Sequence, residues 1–103
     1  MNQEEFIKDI ENSYARGIAL IRIKNADYAD GSDPFKNFRT ASLLGLTIEQ
    51  AIMVRKLDKI TRIGNLLTKE AAVKTETIED TILDDINYAG ILLAYLHAKS
   101  KAV

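Results

Sequence analysis

Residues 75–101 read TETIEDTILDDINYAGILLAYLHAKSK, and this stretch decides the fold. Ile82, Ile86, Ala89, Leu93 and Leu96 recur at steps of three and four, the spacing that puts side chains on one face of an α-helix. Its ends agree. Thr75 or Thr77 can cap the first turn, Glu76, Glu79 and Asp80 suit the positive end of the helix dipole, and Lys99 and Lys101 suit the negative end.

Upstream, residues 69–75 carry no apolar period beyond Val73, which separates this helix from another long one. That helix opens on Thr47 with Gln50 three residues later, a capping-box spacing, and runs through Ile48, Ile52, Met53, Leu57, Ile60, Ile63 and Leu67 to end near Lys69. Before it, Phe35, Phe38, Ala41 and Leu44 step by three toward Gly45, predicting a short helix with a left-handed glycine cap. Turn formers crowd the segment from Asn25 to Pro34, and the first long helix precedes them, from Glu4 to Lys24, with Phe6, Ile7, Ile10, Tyr14, Ile18 and Ile21 on one face. No strand signal interrupts the pattern. The expectation is one all-α domain over residues 1–103, three long helices plus one short helix.

Composition narrows the function. The 103 residues include no cysteine, one histidine and one proline, so packing alone must hold the fold and no thiolate metal site exists. Fourteen basic against 15 acidic side chains leave a formal charge of −1, too little positive field for a protein that coats DNA or RNA. An acidic N-terminus and the absence of a long apolar run predict neither a signal peptide nor a membrane span, hence a cytoplasmic protein. Three helices rarely close a core alone, and Ile23, Val54, Leu83 and Ile91 fall off the main apolar arcs, so a helical homo-oligomer, a dimer or tetramer, is expected.

Charges that break the helical pattern mark the candidate site. At about 100° per residue, Lys56 projects into the apolar arc of its helix with Lys59 at the edge, and Asp85 does the same in the last helix beside Thr81, Asp84 and Tyr88. Buried charges must be paired or solvated. Lys56 and Asp85 therefore either form a structural ion pair between helices or belong to a polar cavity lined by Lys56, Lys59, Asp80, Asp84, Asn87 and Tyr88. Such a cavity suits a nucleotide, with ammonium groups for phosphate, amide and carboxylate for base or ribose edges, and a ring for stacking. The loop aromatic Tyr28 is expected to close over the base as a lid, with Phe35 and Phe38 as anchors of the short helix.

Glu76, Asp80 and Asp84 share one helical face and offer an alternative, a Mg2+ site, although acids at a helix start also arise on dipole grounds alone. The loop acids Asp27, Asp30 and Asp33 lack the bidentate glutamate of a calcium loop. His97, with no second histidine, reads as a surface residue, and no glycine-rich phosphate loop or nucleophile elbow is present.

Three blocks then carry a family resemblance: residues 24–28 (KNADY), 56–62 (KLDKITR) and 79–89 (EDTILDDINYA). In that order they resemble the small phage proteins called nucleotide modification associated domain 1, a family distantly similar to the all-α, MazG-like nucleotide pyrophosphohydrolases. The resemblance implies a helical oligomer that handles nucleotides in an infected bacterial cell, and it adds Lys24 and Arg62 to the ligand-binding set. MazG-like enzymes hold Mg2+ between a glutamate pair on one helix and an acidic pair on the next. Here the first helix offers Arg55, Lys56, Lys59 and Arg62, cations where metal ligands are required. The reading is accordingly a protein that sequesters a small nucleotide, with a cyclic antiviral signal as the leading candidate, and without turnover or cofactor. The alternative is a Mg2+-dependent nucleotide pyrophosphohydrolase using Glu76, Asp80 and Asp84.

Overall fold

The computed structural model describes residues 1–27, 33–68 and 75–101, the side chains of 25–27 and 75–77 excepted. The described chain is all-α: α1 (Gln3–Asp27), a short α2 (Lys36–Arg39) continued by a 3-10 turn (Thr40–Leu44), α3 (Ile48–Thr68) and α4 (Thr75–Lys101). No strand occurs among these residues, and none of their helices is long and apolar enough to cross a membrane.

Local chemistry sets the helix ends. Thr47 and Gln50 form the capping box reciprocally: the Gln50 N–H donates to Thr47 Oγ1 at 3.0 Å and the Thr47 N–H to Gln50 Oε1 at 2.9 Å. Gly45 adopts φ 77°, with Gly45 N–H on the Ser42 carbonyl and Leu46 N–H on the Ala41 carbonyl, the paired bonds that close a helix on a left-handed glycine. At α1 the cap lies two residues before the expected start, on Asn2, whose Oδ1 accepts the Glu5 N–H at 2.9 Å.

α4 is the central element. It packs on α3 and on α1, which do not pack on each other among the described residues, while α2 and the 3-10 turn lie against α3. α3 and α4 run antiparallel: Glu49 near the start of α3 meets Lys99 near the end of α4, and Lys56 meets Asp85 farther along. α1 crosses α4 at Gly17, where Asn87 Nδ2 donates to the Gly17 carbonyl at 3.0 Å. A Cβ on Gly17 would stand 3.0 Å from Asn87 Oδ1, so only glycine admits this approach without a shift. Gly90 faces open space instead. Hence Gly90→Ala should stabilise the fold by about 0.5–1 kcal/mol through helix propensity, whereas Gly17→Ala should return no such gain. Urea denaturation of both variants checks the contrast.

On α4 the face that packs is not the one the apolar periodicity selects, whereas on α3 the periodic Ile52 is sealed. Among the described residues, the fully or nearly buried apolar side chains are Ile52 (0% exposed), Leu83 (4%) and Ala51, joined by Thr81 and Asn87. Leu83, expected to need an outside surface, is thus inside the protomer, because α4 turns the side bearing Leu83, Asp84, Asn87 and Ile91 toward α1 and α2. The heptad-spaced stripe of α4 faces out, with Ile82, Leu93 and Leu96 exposed. On α3, Met53, Leu57, Ile60 and Leu67 do likewise, and on α1 so do Phe6, Ile7, Tyr14 and Ile18. Val54 and Ile23 are exposed as expected.

Candidate functional site

A cavity of about 280 Å³ opens where α1, α2, α3 and α4 meet. α1 contributes Lys24 and Ile21, α2 and the turn after it Asn37, Phe38 and Ala41, α3 Ala51, Val54 and Arg55, and α4 Asp84, Asn87, Tyr88 and Ile91. Two rings define one side: Phe38 and Tyr88 meet edge to face, centroids 6.4 Å apart. The first and last helices are brought to the same cavity because Gly17 lets α1 lie against α4 on the approach to Lys24.

Asp84 organises the charges. Its Oδ1 accepts Lys24 Nζ at 3.2 Å and its Oδ2 faces Lys59 Nζ at 3.2 Å, so one carboxylate on α4 ties α1 to α3. Next to it, Asp85 Oδ1 accepts Lys56 Nζ at 2.7 Å, with both side chains about four-fifths buried in the α3–α4 seam. Asn87 uses one of its two amide hydrogens on the Gly17 carbonyl and sets its Oδ1 against Gly17 as well, so the second N–H is the group it can offer a ligand.

Two further pairs fasten the rim. The Arg39 guanidinium hydrogen-bonds Asp33 and, with the Phe35 N–H, holds that carboxyl below its ordinary value. Lys99, lying 5.7 Å from the Tyr95 ring centroid, hydrogen-bonds Glu49 and lowers its carboxyl likewise, while Glu49 raises the Lys99 ammonium. A depressed carboxyl contributes stability above its unfolded pKa and loses it as pH falls through the folded one, so on the acid side both fastenings weaken below 3.8 and 4.5 respectively, and the raised Lys99 ammonium makes the Glu49 pair weaken again as pH rises above 10.5. Phe35 completes this end by meeting Tyr95 edge to face at 5.1 Å.

Of the residues nominated from sequence, Lys24, Asp84, Asn87 and Tyr88 line the cavity together. Lys56 and Lys59 do not: they lie in the seam, held by Asp85 and Asp84, where salt-bridge geometry uses up the charge that a ligand would need. Asp80 and Arg62 are exposed and outside the lining: each shares the helical phase of a lining residue, Asp80 that of Asp84 and Arg62 that of Arg55, but lies one or two turns farther along its helix, past the end of the cavity. Tyr28 lies outside the described residues, as does the Glu76 side chain. Arg55 is the residue that sequence reasoning misses. It lines the cavity and makes no ion pair among the described residues, and its one signal in the sequence is a cation one position before Lys56, facing a different neighbour.

The described acids fit a divalent ion poorly. Asp84 already holds an ammonium on each oxygen, Asp80 is exposed, and no cluster of three or more His, Asp or Glu gathers among the described residues. No protein family, curated protein or solved structure gives a significant match to the chain.

Proposed function

We propose that the protein binds one small nucleotide in the cavity between its four helices and sequesters it without turnover. The observation that carries this reading is the convergence there of Arg55, unpaired among the described residues, the amide groups of Asn37 and Asn87, and the rings of Phe38 and Tyr88, with Lys24 beside them on Asp84. Guanidinium and ammonium groups take phosphate by charge-assisted hydrogen bonds, amides read base edges, and a ring face stacks on a base. A volume of 280 Å³ lies at the lower edge of the roughly 300–1,000 Å³ of small-molecule sites, room for a single nucleotide unit.

The resemblance in residues 24–28, 56–62 and 79–89 supports the same ligand class and a phage protein acting in the cytoplasm of an infected cell. Withholding a nucleotide signal from a host defence, a cyclic one above all, needs affinity only, which such a cavity supplies. A Mg2+-dependent pyrophosphohydrolase would need Asp84 free for metal, and its two lysines oppose that.

A panel of mono-, di- and cyclic nucleotides, scored by the rise in melting temperature with and without chelator, tests the proposal. At least one nucleotide should stabilise the protein regardless of chelator. Arg55→Ala should weaken that binding by about 1.5–3 kcal/mol, the scale of a hydrogen bond to a charged group, with unliganded helicity unchanged. Pyrophosphate release from nucleoside triphosphates in Mg2+ would move the case to the hydrolase. Stabilisation by no nucleotide would sink the ligand reading altogether.

A further inference from the structure

The outward stripes of α3 and α4 share one side of the hairpin. On α3, Met53, Leu57, Ile60, Gly64 and Leu67 follow steps of four and three, and on α4, Ile82, Ile86, Ala89, Leu93 and Leu96 do the same. This is the seam spacing of helices that pack side by side at a shallow angle. With α3 and α4 antiparallel and in contact through Lys56–Asp85, helical phase places both stripes on the same side, roughly 160° around each helix from its cavity-lining residues. None of the stripe positions holds a charged residue.

The protomer is too open for a free monomer of its mass. Its accessible surface is 7848 Å². A folded monomer of 11.5 kDa exposes about 5,800 Å² by the mass scaling of globular proteins. The radius of gyration is 15.9 Å, where a compact chain of this length has about 13 Å. The excess, about 2,000 Å², is on the scale that one protomer of an obligate oligomer buries.

We infer that the α3–α4 face is a homodimer interface, on which a second copy of the chain lays its own α3–α4 face to form an isologous four-helix bundle. A second copy fits better than a foreign helix because the face is self-complementary: two antiparallel apolar stripes, uncharged along their length, match themselves under a two-fold rotation. Dimerisation here goes beyond the ligand reading and stands apart from it, since the cavities open on the outer sides of the bundle and the partner adds nothing to them.

The chain contains no cysteine, so an introduced thiol reports one position alone. Sedimentation of the unmodified protein at micromolar concentration should give a dimer or a multiple of it. Leu57→Cys, at a position already exposed in the protomer, should cross-link to a covalent dimer with a short bis-maleimide, while Ser42→Cys, on the exposed turn by the cavity, should not. Leu57→Glu should raise the dimer dissociation constant by about 30-fold or more, the scale of a central interface residue. A monomeric unmodified protein, or cross-linking of the Ser42→Cys variant without cross-linking of the Leu57→Cys variant, would overturn the interface. Nucleotide stabilisation measured on the same samples reads the cavity separately, so either idea can fail while the other stands.

Discussion

Ile52→Ala is expected to lower the free energy of unfolding by about 2–5 kcal/mol, the range for truncating a fully buried isoleucine. Among the described residues, Ile52 is the largest side chain that is sealed completely, at 0% exposure. The loss has two parts, the transfer of three methyl and methylene groups and the cavity that the rigid α3–α4 seam leaves unfilled. Urea unfolding with an unchanged m-value measures it directly. Among the described residues the core holds few other sealed apolar groups, so a loss at the top of this range would remove a large part of a stability that rarely exceeds about 15 kcal/mol. A cost below about 1 kcal/mol would mean that the seam around Ile52 collapses freely, contrary to the packing described.

Asp85→Ala should be the second costly change, at about 2–3 kcal/mol, less than the roughly 3–5 kcal/mol of a fully buried pair because about a fifth of each side chain remains open to water. Lys56 would keep its ammonium in the α3–α4 seam with its 2.7 Å partner gone. The double variant Lys56→Met, Asp85→Leu removes the stranded charge and refills the seam with apolar volume, so it should return to within about 1 kcal/mol of the natural protein. Denaturation of both single variants and the double one closes a cycle whose coupling energy isolates the pair. Equal losses in the single and double variants would show instead that the side chains matter for packing and their charges do not.

The proposed ligand site was partly legible before any coordinates. Asp84, Asn87 and Tyr88 share one face of a helix, a relation that about 100° per residue makes readable from spacing. Lys56 and Asp85 were marked by charge in an apolar arc, and the structure pairs them. Lys59 stood out for the same reason, but whether a lysine serves a ligand or a carboxylate depends on what the neighbouring helix presents, and Asp84 claims it. Arg55 reads in the sequence only as one of four cations on its helix, because its importance lies in α2 and α4 converging beside it, a long-range relation invisible in local spacing.

The amino-acid sequence by itself determined the helices and their ends. The Thr47–Gln50 box, the left-handed Gly45 and the acidic-to-basic polarity of residues 75–101 are local devices, each acting within a few residues. Only the tertiary structure decided which face of each helix points inward. α4 carries one face with Ile82, Leu93 and Leu96 and another with Leu83, Asn87 and Ile91, and both are apolar enough to be buried. Periodicity ranks the first above the second. The protomer nonetheless buries the second, because Gly17 lets α1 pack closely against Asn87 there and because Asp84, beside it, holds a lysine of α1 and a lysine of α3. Burial is set by which surfaces meet, and a one-dimensional pattern records how apolar a face is without recording what lies opposite it.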